Sequence, residues 1–142
     1  MSFSGDSYQI VELGDQCWFA ENLRTTTFLD GEPLQQNLSD SEWEETNQGA
    51  CAAFGNGSIY CTEFVPNLDA CADSSATISS FGMLYNFYAV SDSRGICPQG
   101  WQVPTDSDWQ LLKITAMDIS GEPSGVALKS IEGWLVTDFC GG

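Results

Sequence analysis

The residues most able to do chemistry in this chain are its thiols, its carboxylates and a set of aromatics in irregular sequence. Six cysteines, Cys17, Cys51, Cys61, Cys71, Cys97 and Cys140, are spread widely, with no Cys-x-x-Cys among them. A zinc ribbon or a dithiol redox site needs two thiolates close together on a tight turn, so neither fits. An even number of widely spaced cysteines reads better as disulfides formed in an oxidising compartment, with at least one bridge inside residues 51–71. The alternative is buried free thiols in a reducing compartment. The carboxylate pairs Asp106/Asp108 and Glu42/Glu45 sit where helix starts and exposed helix faces are expected, so capping and solvation account for them better than acid–base catalysis. Glu63, Asp69 and Asp73 fall in one cysteine-rich stretch and could gather oxygens for a calcium ion, the one cofactor the sequence admits. Trp43, Phe54, Tyr60 and Phe64 also lie in irregular stretches. Exposed there, they would stack on a sugar ring or dock on a protein surface; turned inward, they would plug the loop onto the rest of the fold.

Composition removes several classes of function. The chain has 142 residues, 20 acidic against 4 basic, for a formal net charge of -16, and no histidine. Its only cations are Arg24, Arg94, Lys113 and Lys129, so it will not hold a nucleic acid backbone. Without histidine there is no Ser-His-Asp triad, no Cys-His dyad and no His-ligated zinc site. No run approaches the roughly 18 apolar residues of a membrane span, so membrane insertion is not expected. The opening Met1-Ser2-Phe3-Ser4-Gly5-Asp6 has neither the basic start nor the apolar stretch of a secretory signal. A leader removed beforehand, or delivery as part of a virus particle, would take such a chain outside the cell.

The elements that must position these residues follow from local signals. Tyr8–Leu13 and Gln16–Ala20 read as strands joined at Gly14-Asp15, the chemistry of a two-residue hairpin turn. Ser39-Asp40-Ser41-Glu42 reads as a capping box opening a short helix that carries Trp43. Residues 49–80 are rich in Gly, Ser, Ala and Asn and predict a long irregular loop. Phe81, Leu84, Tyr85 and Tyr88 fall at helical spacing and predict an amphipathic helix ending near Ser91. Thr105 caps a further helix with Asp106 and Asp108 in its first turn, Trp109, Leu112 and Ala116 on its buried face, and Gly121 as its stop. Val126–Leu128 and Gly133–Val136 read as short strands. The fold class is α+β in one domain over residues 1–142, with an irregular cysteine-rich insert at 49–80.

Four blocks carry a family resemblance: Trp18-x-Ala20-Glu21-Asn22-Leu23; Leu84-Tyr85-Asn86-Phe87-Tyr88-Ala89-Val90; Arg94-Gly95-Ile96-Cys97-Pro98-x-Gly100-Trp101-x-Val103-Pro104-Thr105-Asp106-x-x-Trp109; and Leu128-Lys129. In this order they resemble the Fibrobacter succinogenes major paralogous domain. The third block is also similar to the helix start of formylglycine-generating and other C-type-lectin-like proteins. The resemblance implies a C-type-lectin-like fold, with a twisted antiparallel sheet, two helices and long disulfide-pinned loops, and with Trp18, Trp101 and Trp109 in the core. It implies an extracytoplasmic bacterial module or a phage structural protein. Two departures stand out. Residues 51–80 are longer and richer in cysteine than the family's pattern, and the family's closing strand has no counterpart before Gly142. The exposed sheet edge that this would leave predicts self-association or a strand donated by a partner chain. Glu122-Pro123-Ser124 is similar to the Glu-Pro-Asn trio of sugar-binding lectin loops, but its third residue differs and no Trp-Asn-Asp follows Trp134, so a turn is expected.

The resulting expectation is a non-catalytic recognition or adhesion module, extracellular or on a cell or virion surface, binding a glycan or a protein surface through the loop at 49–80. A structural component of a virion or an extracellular assembly is the alternative. An oxidative enzyme of the formylglycine-generating kind is the least favoured, because its C-terminal cysteine pair has no counterpart here.

Overall fold

A computed structural model describes residues 1–54 and 74–128. The described residues divide into two compact units, one of residues 1–11, 17–54 and 74–103, the other of residues 12–16 and 104–128. Among them lie six short strands, β1 (Ser2–Phe3), β2 (Asp6–Ser7), β3 (Ile10–Leu13), β4 (Gln16–Phe19), β5 (Cys51–Ala53) and β6 (Met83–Tyr85). Five helices accompany them: α1 (Asp40–Glu45), α2 (Ser74–Phe81), α3 (Phe87–Ser91), α4 (Asp106–Ser120) and α5 (Ser124–Ala127). The class is α+β, as expected. The described strands pair as three separate two-stranded ribbons, β1–β2, β3–β4 and β5–β6, in place of one twisted sheet.

In the first unit the core is a cluster of Phe28, Leu34, Cys51, Met83, Ala89 and Ile96, with Leu23, Ala53, Ile78, Tyr85 and Cys97 packed against it. The β5–β6 ribbon feeds this cluster. Cys51 pairs with Tyr85, Ala52 with Leu84 and Ala53 with Met83. Side chains alternate across a ribbon, so Cys51 and Met83 are buried while Leu84, from the intervening pair, is exposed. Asn86 ties the ribbon to α3. Its Oδ1 accepts from the backbone N–H of Ala89, capping the helix, and from that of Ala50 at 3.0 Å, while its Nδ2 donates to the Gln48 carbonyl at 2.9 Å. Tyr85 donates its hydroxyl to the carbonyl of fully buried Thr25 at 2.8 Å, and burial pushes its phenol far above the ordinary range. Arg94, paired with Asp92 at 2.7 Å, lies over the Phe28 ring at 3.8 Å from its centroid.

The second unit is built on α4. Thr105 caps it with a full capping box: its hydroxyl accepts from the Asp108 N–H, and the Asp108 carboxylate accepts from the Thr105 N–H at 2.8 Å. Gly121, in the left-handed region at φ 71°, stops it. Leu112 and Ala116 are buried; Trp109 is half exposed. Gln16, at the end of the β3–β4 turn, donates from Nε2 to the Asp108 carbonyl.

Several expectations need correcting. The helix expected across residues 81–91 is a helix end, a strand and a second helix. Gly82, at φ +71°, ends α2, its N–H bonding the Ile78 carbonyl, and the next three residues are drawn into pairing with β5. Of the loop expected at 49–80, residues 51–53 are strand and 74–81 helix; residues 55–73 lie outside the described part. Val126–Leu128 is not a strand. Pro123 opens a single helical turn, α5, whose N–H groups reach the Pro123 and Ser124 carbonyls. That geometry agrees with the turn expected at Glu122-Pro123-Ser124. The strand expected at Gly133–Val136 falls outside the described residues. Trp18 and Trp101 are only half-buried and Trp109 is exposed, so none of the three is a core tryptophan.

Candidate functional site

A cleft of about 250 Å³ opens in the first unit, lined by Phe19, Ala20, Glu21, Asn22, Arg24, Ser79, Ser80 and Gly82. Two sequence-distant stretches make it: the segment leaving β4, and the C-terminal turn of α2. Gly82 is what lets them approach. A Cβ there would stand 2.5 Å from the Asn22 Cβ and 3.0 Å from the Asn22 carbonyl carbon, closer than any side chain tolerates, and its positive φ excludes most other residues besides. The approach is fastened by two hydrogen bonds. Asn22 donates from Nδ2 to the Phe81 carbonyl at 2.9 Å, and the Met83 N–H donates to the Leu23 carbonyl at 2.9 Å.

Arg24 holds one wall in place. Its Nε donates to Asp6 Oδ1 at 3.2 Å, its Nη1 to Glu21 Oε2 at 2.8 Å and its Nη2 to the Ser7 carbonyl at 2.8 Å. The guanidinium lies 4.4 Å over the Tyr8 ring, a favourable cation–π placement. Tyr8 in turn meets Phe19 edge-on at 5.1 Å, and Phe19 packs on Trp101 at 4.4 Å. The Glu21 carboxyl is held below the usual carboxylate range, first by the Arg24 side chain and then by the Gln9 N–H, which donates to Oε1. The hydroxyls of Ser79 and Ser80, on the exposed face of α2, have no protein partner among the described residues. Beside them stands an exposed aromatic pair, Phe54 against Phe81, with ring centroids 6.4 Å apart.

The residues expected to make contacts fare differently. Phe54 is exposed and stacked edge-on against Phe81, and Trp43 lies half-buried on α1; neither Phe54 nor Trp43 is among the cleft-lining residues. Tyr60 and Phe64 fall outside the described residues, as do Glu63, Asp69 and Asp73, expected as calcium ligands. No group of three acidic or thiol side chains gathers to hold a metal ion among the described residues. The expected disulfides are not formed where they can be followed: Cys17, Cys51 and Cys97 are free thiols. Cys51 serves instead as a small apolar residue of the core, its thiol pushed up to about 11 by burial. Cys97 is half-buried and also raised by burial, and Cys17 is exposed. Cys61, Cys71 and Cys140 lie outside the described residues.

Glu21, Asn22, Arg24, Ser79, Ser80 and Gly82 were not singled out by sequence. The signal for the first two was in hand, since both belong to a block that carries the family resemblance. For Gly82 it was a glycine between two apolar runs.

The described chain is thus an α+β fold with a small polar cleft and an aromatic rim. It belongs to the Fibrobacter succinogenes major domain family, whose model matches residues 11–133. No curated relative and no solved structure matches it. No helix among the described residues is long and apolar enough to cross a membrane.

Proposed function

We propose that the chain is a non-catalytic extracytoplasmic recognition module that contacts its ligand through the cleft and the Phe54–Phe81 rim. The observation that carries this reading is the cleft itself. It presents hydroxyls and an amide beside Phe19. Phe81, set in the chain between the lining residues Ser80 and Gly82, carries an exposed ring paired with Phe54. This is the mixture of a few oriented polar groups and apolar surface that binding sites use. The titratable groups support a binding role over a catalytic one. Glu21 is held below the ordinary carboxylate range by its hydrogen bonds and Cys51 is held protonated by burial, so neither is tuned toward neutral pH as an acid, base or nucleophile would be. The extracytoplasmic setting rests on what the family resemblance implies; the free thiols Cys17, Cys51 and Cys97 take away the support that disulfides would lend it.

Beads coated with the full chain, washed over surfaces bearing polysaccharides or extracellular proteins, test the reading. Adhesion should be lost on filling the cleft from the exposed helix face with Ser79→Gln and Ser80→Gln, changes that leave the backbone alone. Adhesion that survives both substitutions in a chain with an unchanged thermal melt would remove the cleft from the mechanism.

A further inference from the structure

The charge balance of the cleft narrows the class of ligand. Arg24 is the only cation among its lining residues, and it is already spent. Three of its nitrogens donate to Asp6, Glu21 and the Ser7 carbonyl, its face is covered by Tyr8, and its side chain is only 11% exposed. Two carboxylates answer one guanidinium, so the trio carries a net negative charge. A ligand carboxylate or sulfate would find no free cation and would be repelled. Glu21 is the one carboxylate among the lining residues, and no group of three acidic side chains gathers among the described residues, too few oxygens for a calcium ion that takes about six to eight.

What the cleft does offer is uncharged. The Ser79 and Ser80 hydroxyls can each donate and accept, and the Asn22 carbonyl oxygen can accept while its amide nitrogen is held by Phe81. Phe19 is among the lining residues, and Phe81, next in the chain to Ser80 and Gly82, adds an exposed apolar face paired with Phe54. Hydroxyl-matched polar groups beside aromatic faces suit a ring that is polar around its rim and apolar on its faces. The volume, about 250 Å³, is below that of drug-sized sites and limits the occupant to about one ring.

Resting on the recognition reading above, we infer that the cleft takes a neutral sugar ring, without calcium, and discriminates against acidic glycans. Binding of the full chain to neutral gluco-, manno- and galacto-oligosaccharides, to hyaluronan and to polygalacturonate, each with and without EDTA, tests this. Neutral oligosaccharides should bind at least about tenfold more tightly than the acidic polymers, unchanged by EDTA. Ser79→Ala or Ser80→Ala should each weaken the neutral ligand about fivefold, the loss of one hydrogen bond. Glu21→Gln, which brings the trio to neutrality, should narrow the neutral-over-acidic preference by about fivefold, a change that a merely structural role for Glu21 would not produce. Binding confined to the acidic polymers, or abolished by EDTA, overturns this inference and leaves the recognition reading standing. Cleft-dependent adhesion to protein-coated surfaces with no glycan bound does the same. Silence on glycans together with adhesion indifferent to the cleft overturns both.

Discussion

Replacing Asn86 by alanine should be the most damaging single polar substitution in the first unit, and its cost can be assembled from the geometry. Three hydrogen bonds go at once. The cap to Ala89 is worth about 1 kcal/mol. The bond to Ala50 matters more, because Ala50 is fully buried and its N–H would be stranded, at about 1–3 kcal/mol. The third, to the Gln48 carbonyl, is exposed and adds about 0.5 kcal/mol. The sum is about 3 kcal/mol, which for a chain of this size lowers the melting temperature by about 6–12 °C. Asn86→Asp is the control. It keeps an acceptor for Ala89 and Ala50, adds a negative charge where the helix dipole favours one, and loses only the donor to Gln48, so it should cost about 1 kcal/mol. Urea unfolding followed by circular dichroism reads both. An alanine variant within about 1 kcal/mol of the parent, or an aspartate variant as unstable as the alanine one, would refute the view that Asn86 joins β5, β6 and α3 through its acceptor oxygen.

Other outcomes follow from single residues. Gly82→Ala should cost about 2 kcal/mol or more in urea unfolding, since alanine pays for the left-handed backbone and meets Asn22 as well; a neutral effect would mean that the cleft wall is not where it is drawn. With iodoacetamide and peptide mass spectrometry, Cys17 should alkylate in the native chain and Cys51 only on unfolding, because the first is exposed and the second buried and protonated. If either reacts in denaturant only after reduction, it is bridged and the free-thiol assignment fails. The Asp92 carboxyl, hydrogen-bonded by the Arg94 side chain and backbone, should titrate at about 2 in carbon-detected NMR, against its ordinary 3.8. A depressed folded value means that its contribution to stability is present above the unfolded value and is lost as pH falls from there through about 2. Arg94→Leu should return the midpoint toward 3.8, and an unmoved midpoint would exclude the pair as the cause.

What could be read from the sequence was what local physics decides. The capping boxes at Ser39/Glu42 and Thr105/Asp108 involve residues three apart, so their reciprocal hydrogen bonds form as written. The hairpin at Gly14-Asp15 and the stop at Gly121 are likewise set within a few residues. What failed depended on distant partners. β6 exists because residues 83–85 meet 51–53, more than thirty positions away. Val126–Leu128, expected as a strand, has no partner strand among the described residues, and the local bonds after Pro123 close a helical turn instead. Cysteine spacing carried no information on whether a thiol faces the core, as Cys51 does, or solvent, as Cys17 does.

The largest misreading and the candidate site share one cause. Phe81, Leu84, Tyr85 and Tyr88 satisfy helical spacing, but Gly82 and Asn86 interrupt it, and both interruptions are used by the structure. Gly82 breaks the helix because its backbone turns left-handed, and the same absence of a side chain lets Asn22 come within contact. That contact brings Glu21, Asn22 and Arg24 up to Ser79 and Ser80, and a continuous helix over residues 74–91 would have no place for it. Asn86 then restarts a helix by capping it while holding β5 to the ribbon, which fixes where Phe54, the residue after β5, emerges beside Phe81. A residue that breaks a local rule without a local reason points to a distant one, and here both broken positions lead to the wall or the rim of the same cleft.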